Sequence, residues 1–208
     1  MIIMVWTVFE IVGTIAFAVS GAVVAIRKEL DLFGVMVLAV ITATGGGMLR
    51  DMIIGNVPPL AFRDATYITI SLVTAAGVGY YYRYIPRVRH LIQICDALGL
   101  GAFTATSATM AITQGWDTLL VVVTLGVITG VGGGILRDVL AGEIPMIFQK
   151  EIYALAAVIG ALALYFAHPF FSGSEPMYIC FVTTVGIRLA CLYWGIHLPV
   201  VRPPGNED

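Results

Sequence analysis

The chain has 208 residues, of which 59% are hydrophobic and 12% are charged, and its formal net charge is -2. Because soluble domains carry about 25% charged residues, this composition and a mean hydropathy of +0.95 exclude a soluble domain and predict an integral membrane protein. The sequence has no run of Lys and Arg that would indicate a nucleic-acid partner. Cys95, Cys180 and Cys191 lack the spacing of metal ligands, so we expect neither a metal nor a cofactor.

Seven apolar runs follow one another along the chain. Each has about 20 residues, which is enough to cross a hydrocarbon core of about 30 Å as a helix. The runs cover approximately residues 7–26, 33–54, 66–83, 93–112, 119–140, 151–168 and 177–198. They predict an all-α membrane protein with seven transmembrane helices that form a single membrane domain over residues 1–208.

The distribution of Lys and Arg predicts the orientation, because short cytoplasmic loops carry an excess of these residues. One side of the predicted bundle has only Arg63. The other side has Arg27, Lys28, Arg83, Arg87, Arg89, Lys150 and Arg202. We therefore expect the N-terminus outside and the C-terminal tail in the cytoplasm. Within this set, Arg83, Arg87 and Arg89 are expected at the headgroups, where they set the topology or, as the alternative, bind an anionic lipid headgroup.

The chain contains an internal repeat. Glu10, Gly13, Ala16 and Phe17 recur 86 residues later as Asp96, Gly99, Ala102 and Phe103. The segment Gly-Gly-Gly-x-Leu-Arg-Asp at residues 45–51 recurs 87 residues later at residues 132–138. Each repeat, at about residues 7–83 and 93–168, holds three predicted spans, and an odd number requires the second copy to enter the membrane in the opposite sense. The predicted fold is thus two inverted three-helix repeats plus a seventh helix at about residues 177–198.

Inverted repeats with interrupted helices are a recurring plan of transport proteins. The alternative is a duplicated structural bundle without a conduction path. The two triglycine segments bear on this choice. They are Gly45, Gly46 and Gly47 in the first repeat, and Gly132, Gly133 and Gly134 in the second. Small residues four positions apart, such as Gly126, Gly130 and Gly134, suit helix packing. Three consecutive glycines, however, point all round a helix, which favours a break or kink near the midplane and a cavity beside it.

Seven charged residues fall in the interior of the predicted spans, away from their terminal residues. They are Glu10, Arg50, Asp51, Asp96, Arg137, Asp138 and Arg188. At about 1.5 Å per residue, Glu10 and Arg50 reach the same depth on the outer side of the midplane, and Asp96 and Arg137 the same depth on the cytoplasmic side. We therefore expect two ion pairs, Glu10 with Arg50 and Asp96 with Arg137. Such pairs either fix the helix register or line a conduction path.

The remaining three intramembrane charges have different expectations. Asp51 and Asp138 lie about 100° round the helix from the preceding arginine, so we expect them in a different environment, facing water or capping a nearby helix. Arg188 has no counterpart in the repeat and is expected to need an anion or a wet cavity. With four acidic and three basic residues, the predicted interior is nearly balanced, and it tolerates water and small cations.

An enzyme is not expected. Serines and threonines within the spans lack a nearby histidine with an orienting acid. The glycines are not followed by the lysine of a phosphate-binding loop.

The duplicated triglycine segments at residues 45–51 and 132–138, each with a trailing Gly and Pro, and the six-plus-one plan of spans resemble the TRIC family, the trimeric intracellular cation channels. Bacterial relatives of that family also carry the label of a glycine transporter domain. The resemblance covers roughly residues 5–198. It implies a multi-pass protein of a prokaryotic cell membrane, whose partners are potassium or sodium ions, membrane lipid and two further copies of the chain.

The same resemblance implies a homotrimer with one pore in each protomer. The implied pore lies between the second and fifth transmembrane helices, at residues 33–54 and 119–140, which bend at their triglycines. Animal channels of the family are similar in having a Lys-Glu-Val motif near the pore. This sequence has no such motif, and its nearest string, Arg27-Lys28-Glu29-Leu30, lies in the first loop. Lipid-linked gating through that motif is therefore not implied for this chain.

Three hypotheses of function follow. The leading one is a passive monovalent cation channel. The second is a secondary transporter of a small zwitterion such as glycine, with the glycine-broken helices holding its carboxylate and ammonium groups. The third is a membrane scaffold without permeation.

Overall fold

The computed structural model describes residues 2–84, 88–149 and 152–196, and within these ranges it contains nine α-helices and no strand. The helices are α1 Ile2–Arg27, α2 Leu32–Ile53, α3 Leu60–Arg63, α4 Thr66–Tyr81, α5 Val88–Thr113, α6 Leu119–Leu140, α7 Met146–Gln149, α8 Ile152–Ala167 and α9 Glu175–Trp194. Short 3-10 turns follow α4 and α8. The predicted all-helical fold is confirmed for the described residues.

Six of the seven predicted spans coincide with helices that are long and apolar enough to cross a membrane. These are α1, α2, α5, α6, α9, and α8 together with its 3-10 turn. The remaining predicted span falls on α4, which has 16 residues. Helix α8 has the same length without its turn, but α4, even with its own 3-10 turn, is not among the helices that are both long and apolar enough to cross. Six spans are therefore supported, and a crossing by α4 stays a prediction.

The trailing glycine of each repeated segment ends its helix. Gly55 and Gly142 adopt positive φ angles of 73° and 68°, a conformation that side-chain-bearing residues rarely take. The backbone N–H of Asn56 then donates to the carbonyl of Asp51 at 2.8 Å, and the equivalent bond closes α6 at the same distance. Both helices thus stop at the same place in the repeat, just after their Arg-Asp pair.

The α2–α6 crossing is a contact between backbones. A Cβ atom added to Gly46 would overlap the carbonyl oxygen of Thr129, and one added to Gly133 would overlap the carbonyl oxygen of Thr42. Thr129 and Gly133 are the repeat equivalents of Thr42 and Gly46, 87 residues later. A two-fold relation produces reciprocal contacts of this kind. Since the later position on each helix meets the earlier position on the other, α2 and α6 cross antiparallel, as an inverted repeat predicts.

The α1–α5 crossing has the same reciprocal form. The ring of Phe17 covers Gly99, and the ring of Phe103 covers Gly13, where an added Cβ would lie 3.1 Å from the ring. Around these two crossings, α1 packs on α2 and α4 as α5 packs on α6 and α8. Helix α9 packs on α5 and α8, outside this symmetry, and corresponds to the predicted seventh helix.

The triglycine segments do not interrupt their helices. Helix α2 continues from Leu32 to Ile53 and α6 from Leu119 to Leu140, so the predicted break is wrong. The physical reason is that the glycines remove side chains where two backbones meet, and this needs no change in helical hydrogen bonding. A bend of the helix axis is a different property from a break, and the bend implied by the resemblance stays a prediction.

Candidate functional site

Two arginines are buried at the C-terminal ends of equivalent helices. Arg50 is in the last turn of α2 and Arg137 in the last turn of α6, where the negative end of the helix dipole favours a cation. Their exposed fractions are 2% and 1%. Because an unpaired buried charge is very costly, each guanidinium requires carboxylates and further acceptors.

The four residues around Arg50 form what we call the outer cluster, named for the predicted orientation: Glu10, Arg50, Asp51 and Ser107. The Nη1 atom of Arg50 lies 3.4 Å from Glu10 Oε1 and also donates to Ser107 Oγ at 3.4 Å. Its Nε atom donates to Asp51 Oδ1 at 3.0 Å. The structure thus contains the ion pair that the repeat predicts for this side.

The inner cluster consists of Ser20, Asp96, Arg137 and Asp138. The Nη1 atom of Arg137 lies 2.5 Å from Asp96 Oδ1 and also donates to Ser20 Oγ. Its Nε and Nη2 atoms lie 2.8 and 2.7 Å from Asp138 Oδ1. The second predicted ion pair is therefore also present, with a shorter contact than its outer equivalent.

Each cluster is completed by a serine from the other repeat. Ser107 on α5 reaches Arg50 in the first repeat, and Ser20 on α1 reaches Arg137 in the second. Sequence reasoning missed both serines. They are 87 residues apart, one more than the offset of 86 that relates α1 to α5, so the repeat does not make them exact equivalents and would not have found them. The clusters lie between the repeats, not within one repeat each.

Asp51 and Asp138 do share the environment of the preceding arginine, contrary to expectation. The Cα–Cβ bonds of each arginine and the following aspartate point about 100° apart round the helix. An arginine side chain is nevertheless long enough to fold back and reach the carboxylate. The alternative role, capping a nearby helix, is correct. Asp51 Oδ2 accepts from the backbone N–H of Leu60 at the start of α3, at 2.7 Å, and Asp138 Oδ2 accepts from that of Met146 at the start of α7, at 2.8 Å.

A small cavity adjoins the outer cluster, and we call it the outer cavity. Its volume is about 20 Å³, which is room for about one water molecule. Its lining includes Glu10, Thr14, Gly47, Tyr67 and Phe103. Carboxylate, hydroxyl and phenol side chains therefore contribute to the wall of this cavity, together with the guanidinium of Arg50 and several apolar residues.

The inner cluster opens onto a larger space of about 270 Å³, which we call the inner vestibule. Arg137 and Asp138 line it together with Arg27, Arg89 and Gln93. Three arginines, Arg27, Arg89 and Arg137, and two acidic residues, Asp138 and Glu143, thus line this space, and its cytoplasmic location stays a prediction.

Glu143 lines the inner vestibule and forms two ion pairs there. Its Oε1 atom lies 2.9 Å from Arg27 Nη2 and 3.0 Å from Lys28 Nζ. The pKa of Glu143 is lowered. Partial burial by itself would raise this pKa, but the hydrogen bond from Lys28 and the positive charges of Arg27 and Lys28 outweigh that effect. The carboxylate therefore stays ionised near neutral pH and links α1 to the α6–α7 loop.

The three basic residues expected at the headgroups have different positions. The guanidinium of Arg83 lies 4.8 Å from the ring centroid of Tyr84, and Arg89 lines the inner vestibule. Arg87 lies outside the described residues. Binding of a lipid headgroup by this group stays a prediction.

Two phenylalanines lie between the clusters. Along α1, Phe17 follows Thr14 of the outer cavity and precedes Val24 of the inner vestibule. Phe103 holds the equivalent place on α5 and lines the outer cavity. Their ring centroids are 5.4 Å apart, and both rings are buried. Sequence analysis found this pair in the repeat but assigned it no role.

Arg188 has no carboxylate within 4.0 Å among the described residues. Its exposed fraction is 2%, and its Nη2 atom lies 3.4 Å from the sulfur of Met146. Its guanidinium carbon lies 5.1 Å from the ring centroid of Tyr153, and an aromatic face attracts a cation. An aromatic ring therefore takes the place of the expected anion, and the alternative of a wet cavity stays a prediction.

No group of three or more His, Cys, Asp or Glu side chains among the described residues is placed to hold a metal ion.

Reversing the charge of Arg50 is expected to destabilise the protein, and restoring an opposite charge at position 10 should recover part of the loss. Removing one partner of a buried ion pair costs about 3–5 kcal/mol. Arg50→Glu places three carboxylates together, and Glu10→Lys returns one cation to them. Thermal unfolding in detergent of both single variants and the double variant gives the coupling energy.

The matched control for this cycle combines Glu10→Lys with Arg137→Glu, which changes the inner cluster instead. No rescue is expected there, because Glu10 does not contact the inner cluster. Purely additive effects in the Glu10–Arg50 cycle would show that the pair is not a stabilising contact.

A protein family and several curated relatives are similar to nearly the whole chain. The family model described as glycine transporter matches residues 7–83 and again residues 93–169. A UPF0126 membrane protein of Vibrio cholerae is 40% identical over 192 residues, which is 91% of this chain and 80% of the relative. The UPF0126 inner membrane protein YadS of Escherichia coli is 40% identical over 195 residues, or 91% and 93% of the two chains.

Solved structures of similar fold are TRIC channels. A prokaryotic TRIC channel crystallised in 0.5 M KCl superposes with a TM-score of 0.89 at 34% identity, covering 94% of this chain and 99% of that one. The trimeric intracellular cation channel orthologue from Rhodobacter sphaeroides gives a TM-score of 0.86 at 34% identity, covering 92% and 99%. The likeness therefore extends over both repeats and α9.

Proposed function

We propose, since this chain belongs to the glycine transporter family related to the prokaryotic TRIC channels, that it is a passive channel for monovalent cations, potassium among them. The observation that carries the proposal is the pair of equivalent charge clusters, one beside the outer cavity and one beside the inner vestibule. Each supplies two carboxylates, which attract cations and repel anions. The likeness to solved cation channels supports the same conclusion.

The conduction path in this proposal runs within one protomer, between the two repeats. One face of α1 follows it from Glu10 through Thr14 and Phe17 to Val24 and Arg27, at intervals that keep these residues on one side of a helix. Helix α5 supplies the opposite face, with the order reversed by the antiparallel crossing. The path therefore passes beside the α2–α6 crossing, since the crossing itself is filled by backbone contact at Gly46 and Gly133.

The barrier in the described state is the pair Phe17 and Phe103. Apolar rings have no group that replaces the hydration shell of a cation, so a constriction of this kind stops conduction by excluding water. An open state then requires the two rings to separate. Bending of α2 and α6 at their triglycines is the motion we associate with opening.

We further propose a homotrimer with seven spans in each protomer, in a prokaryotic cell membrane, with the N-terminus outside and the C-terminus in the cytoplasm. Support for the assembly comes from the matched channels, one of which is described as trimeric. Support for the orientation comes from the three arginines that line the inner vestibule. The Escherichia coli relative is described as an inner membrane protein.

The family description as a glycine transporter favours a second candidate, a secondary transporter of a small zwitterion. Carboxylates and guanidinium groups within one cluster suit an ammonium and a carboxylate group, respectively. A transporter holds its substrate between alternating closures. A channel has a state in which the path is open throughout.

Recording from the purified protein in planar bilayers tests the proposal. Discrete unitary potassium currents, with a reversal potential that follows the potassium gradient, are expected of a channel. Saturable glycine uptake into liposomes, coupled to an ion gradient and without unitary currents, would replace the channel with the transporter. If neither currents nor uptake is detected, the remaining hypothesis is a structural membrane protein without permeation.

Replacing Phe17 and Phe103 with alanine is expected to raise potassium flux about tenfold or more, because removing the rings allows water into the constriction. The measurement is potassium efflux from liposomes, normalised to the amount of inserted protein. The control is Phe9→Ala, which removes another buried ring, one that packs on Phe181 outside the path. Equal flux in wild type and the double variant, with both proteins folded, would remove the rings from the barrier.

A further inference from the structure

The two charge clusters are not electrically equivalent. The outer cluster has two carboxylates and one guanidinium, a formal charge of -1. The inner cluster has the same set, but a second guanidinium, that of Arg188, lies behind it on α9. Because α9 stands outside the two repeats, the symmetry supplies no such group on the outer side.

Contacts connect Arg188 to the inner cluster along two routes. On the first route, Arg188 touches the side chain of Met146, whose backbone N–H donates to Asp138. On the second, Arg188 lies over the ring of Tyr153. The Tyr153 hydroxyl and Arg137 Nη2 flank Gly134, at 3.2 and 3.9 Å from the position that a Cβ atom there would take. Met146 also lines the inner vestibule, so the guanidinium contacts a residue of the vestibule wall.

Three buried polar atoms in this part of the protein have no hydrogen-bond partner among the described residues: Asp96 Oδ2, the Tyr153 hydroxyl and Arg188 Nε. Unsatisfied buried groups are rare and call for an explanation. A guanidinium held without a carboxylate is not a stabilising element, because burial of its charge is not offset by an ion pair. Its charge is therefore the property that needs a role.

We propose, building on the proposed function, that Arg188 is a fixed counter-charge that prevents cations from being held at the inner cluster. Its guanidinium supplies the positive charge that a bound cation would otherwise bring to Asp96 and Asp138. In the low-dielectric interior its field reaches across one side chain with little screening. Cations are therefore retained at the outer cluster and pass the inner one without a stable site.

The first test measures cation binding without conduction. Thermal unfolding in detergent is compared in potassium chloride and in choline chloride at equal ionic strength. Arg188→Gln is expected to gain a potassium-specific rise in Tm of about 2–4 °C over wild type, because a cation now binds the inner cluster of the folded state. Arg188→Lys keeps the charge and is expected to behave as wild type. Equal potassium effects in all three proteins would overturn the proposal.

The second test measures selectivity in bilayers. Arg188→Gln is expected to raise the permeability ratio of potassium to chloride about threefold or more, because the inner cluster then has a net negative charge that is not offset. A purely structural role of Arg188 would not produce a change in this ratio that Arg188→Lys lacks. An unchanged ratio in Arg188→Gln, or the same change in Arg188→Lys, would contradict the proposal.

The two tests separate this inference from the proposed channel. A wild-type protein without currents rejects the channel, and the potassium-dependent Tm of Arg188→Gln still decides the charge balance of the inner cluster. Currents in wild type with no effect of either Arg188 variant reject the inference and leave the channel intact.

Discussion

Replacing Gly46 with alanine is expected to destabilise the protein by about 3 kcal/mol, near the upper end of the cost of overpacking a core. The added methyl group would overlap the backbone carbonyl oxygen of Thr129. A flexible side chain yields by changing its rotamer, but a helix backbone does not, so α2 and α6 must move apart. The measurement is thermal unfolding in detergent, read by size-exclusion chromatography after heating.

The neighbouring glycines give matched controls for the same substitution. At Gly45 the added atom would meet a methyl group of Leu136, which can rotate away, so we expect a smaller loss of about 1 kcal/mol. At Gly47 the nearest atom is Arg50 Nη2 at 3.8 Å, an ordinary contact. Gly47→Ala is therefore expected to be neutral or to stabilise α2 by up to about 1 kcal/mol through helix propensity.

The order of these effects identifies the role of the triglycine. Gly133→Ala should reproduce the Gly46 result, because its added atom would overlap the carbonyl oxygen of Thr42 in the equivalent contact. Equal losses at Gly45, Gly46 and Gly47 would instead indicate that flexibility of the whole segment, and not close approach at one position, is what the fold requires.

Replacing Arg137 with methionine is expected to cost about 3–5 kcal/mol, since it leaves two buried carboxylates without their cation. Asp96 and Asp138 both contact this guanidinium, at 2.5 and 2.7 Å. Arg50→Met should cost less, because the Glu10 contact is longer, at 3.4 Å. Chemical or thermal unfolding in one detergent ranks the two variants.

Arg188→Met is the control for Arg137→Met. The two arginines have similar exposed fractions, 2% and 1%, and lose the same group. Without a carboxylate partner, Arg188 should be replaceable at a cost below about 1 kcal/mol. A loss as large as that of Arg137→Met would mean that burial of the long side chain, and not ion pairing, determines the effect of both substitutions. Adding Asp96→Asn to Arg137→Met should then restore stability only if charge is the cause.

Several features of this protein could be predicted from sequence because they depend on composition or on an offset. Apolar runs of membrane length predict helices wherever they occur, since the backbone in lipid must satisfy its own hydrogen bonds. Depth within the predicted spans placed Glu10 with Arg50 and Asp96 with Arg137, since equal depths leave few partners for a buried charge. Ser20 and Ser107 were overlooked because they lie one position out of register with the 86-residue offset of α1 and α5, and because serine is common in membrane helices.

The role of the glycines could not be predicted in the same way. A triglycine is compatible with a helix break and with a close helix crossing, because both need the absence of a side chain. The carbonyl oxygens of Thr42 and Thr129 decide between them, and they come from a different helix. The expectation for Asp51 failed for a related reason. A direction round the helix locates the Cβ atom of each residue, but it does not locate the end of the Arg50 side chain, which reaches the Asp51 carboxylate.

By itself, the sequence determined that the chain is a membrane protein of two matched halves with an ion pair in each. Tertiary structure decided that α2 and α6 cross unbroken, that Phe17 and Phe103 meet between the clusters, and that Arg188 stands behind only one of them. Membrane insertion and repetition are properties of a segment, which its own residues specify. Contacts across α1, α5, α6 and α9 depend on which faces of separate helices meet, and no single segment contains that information.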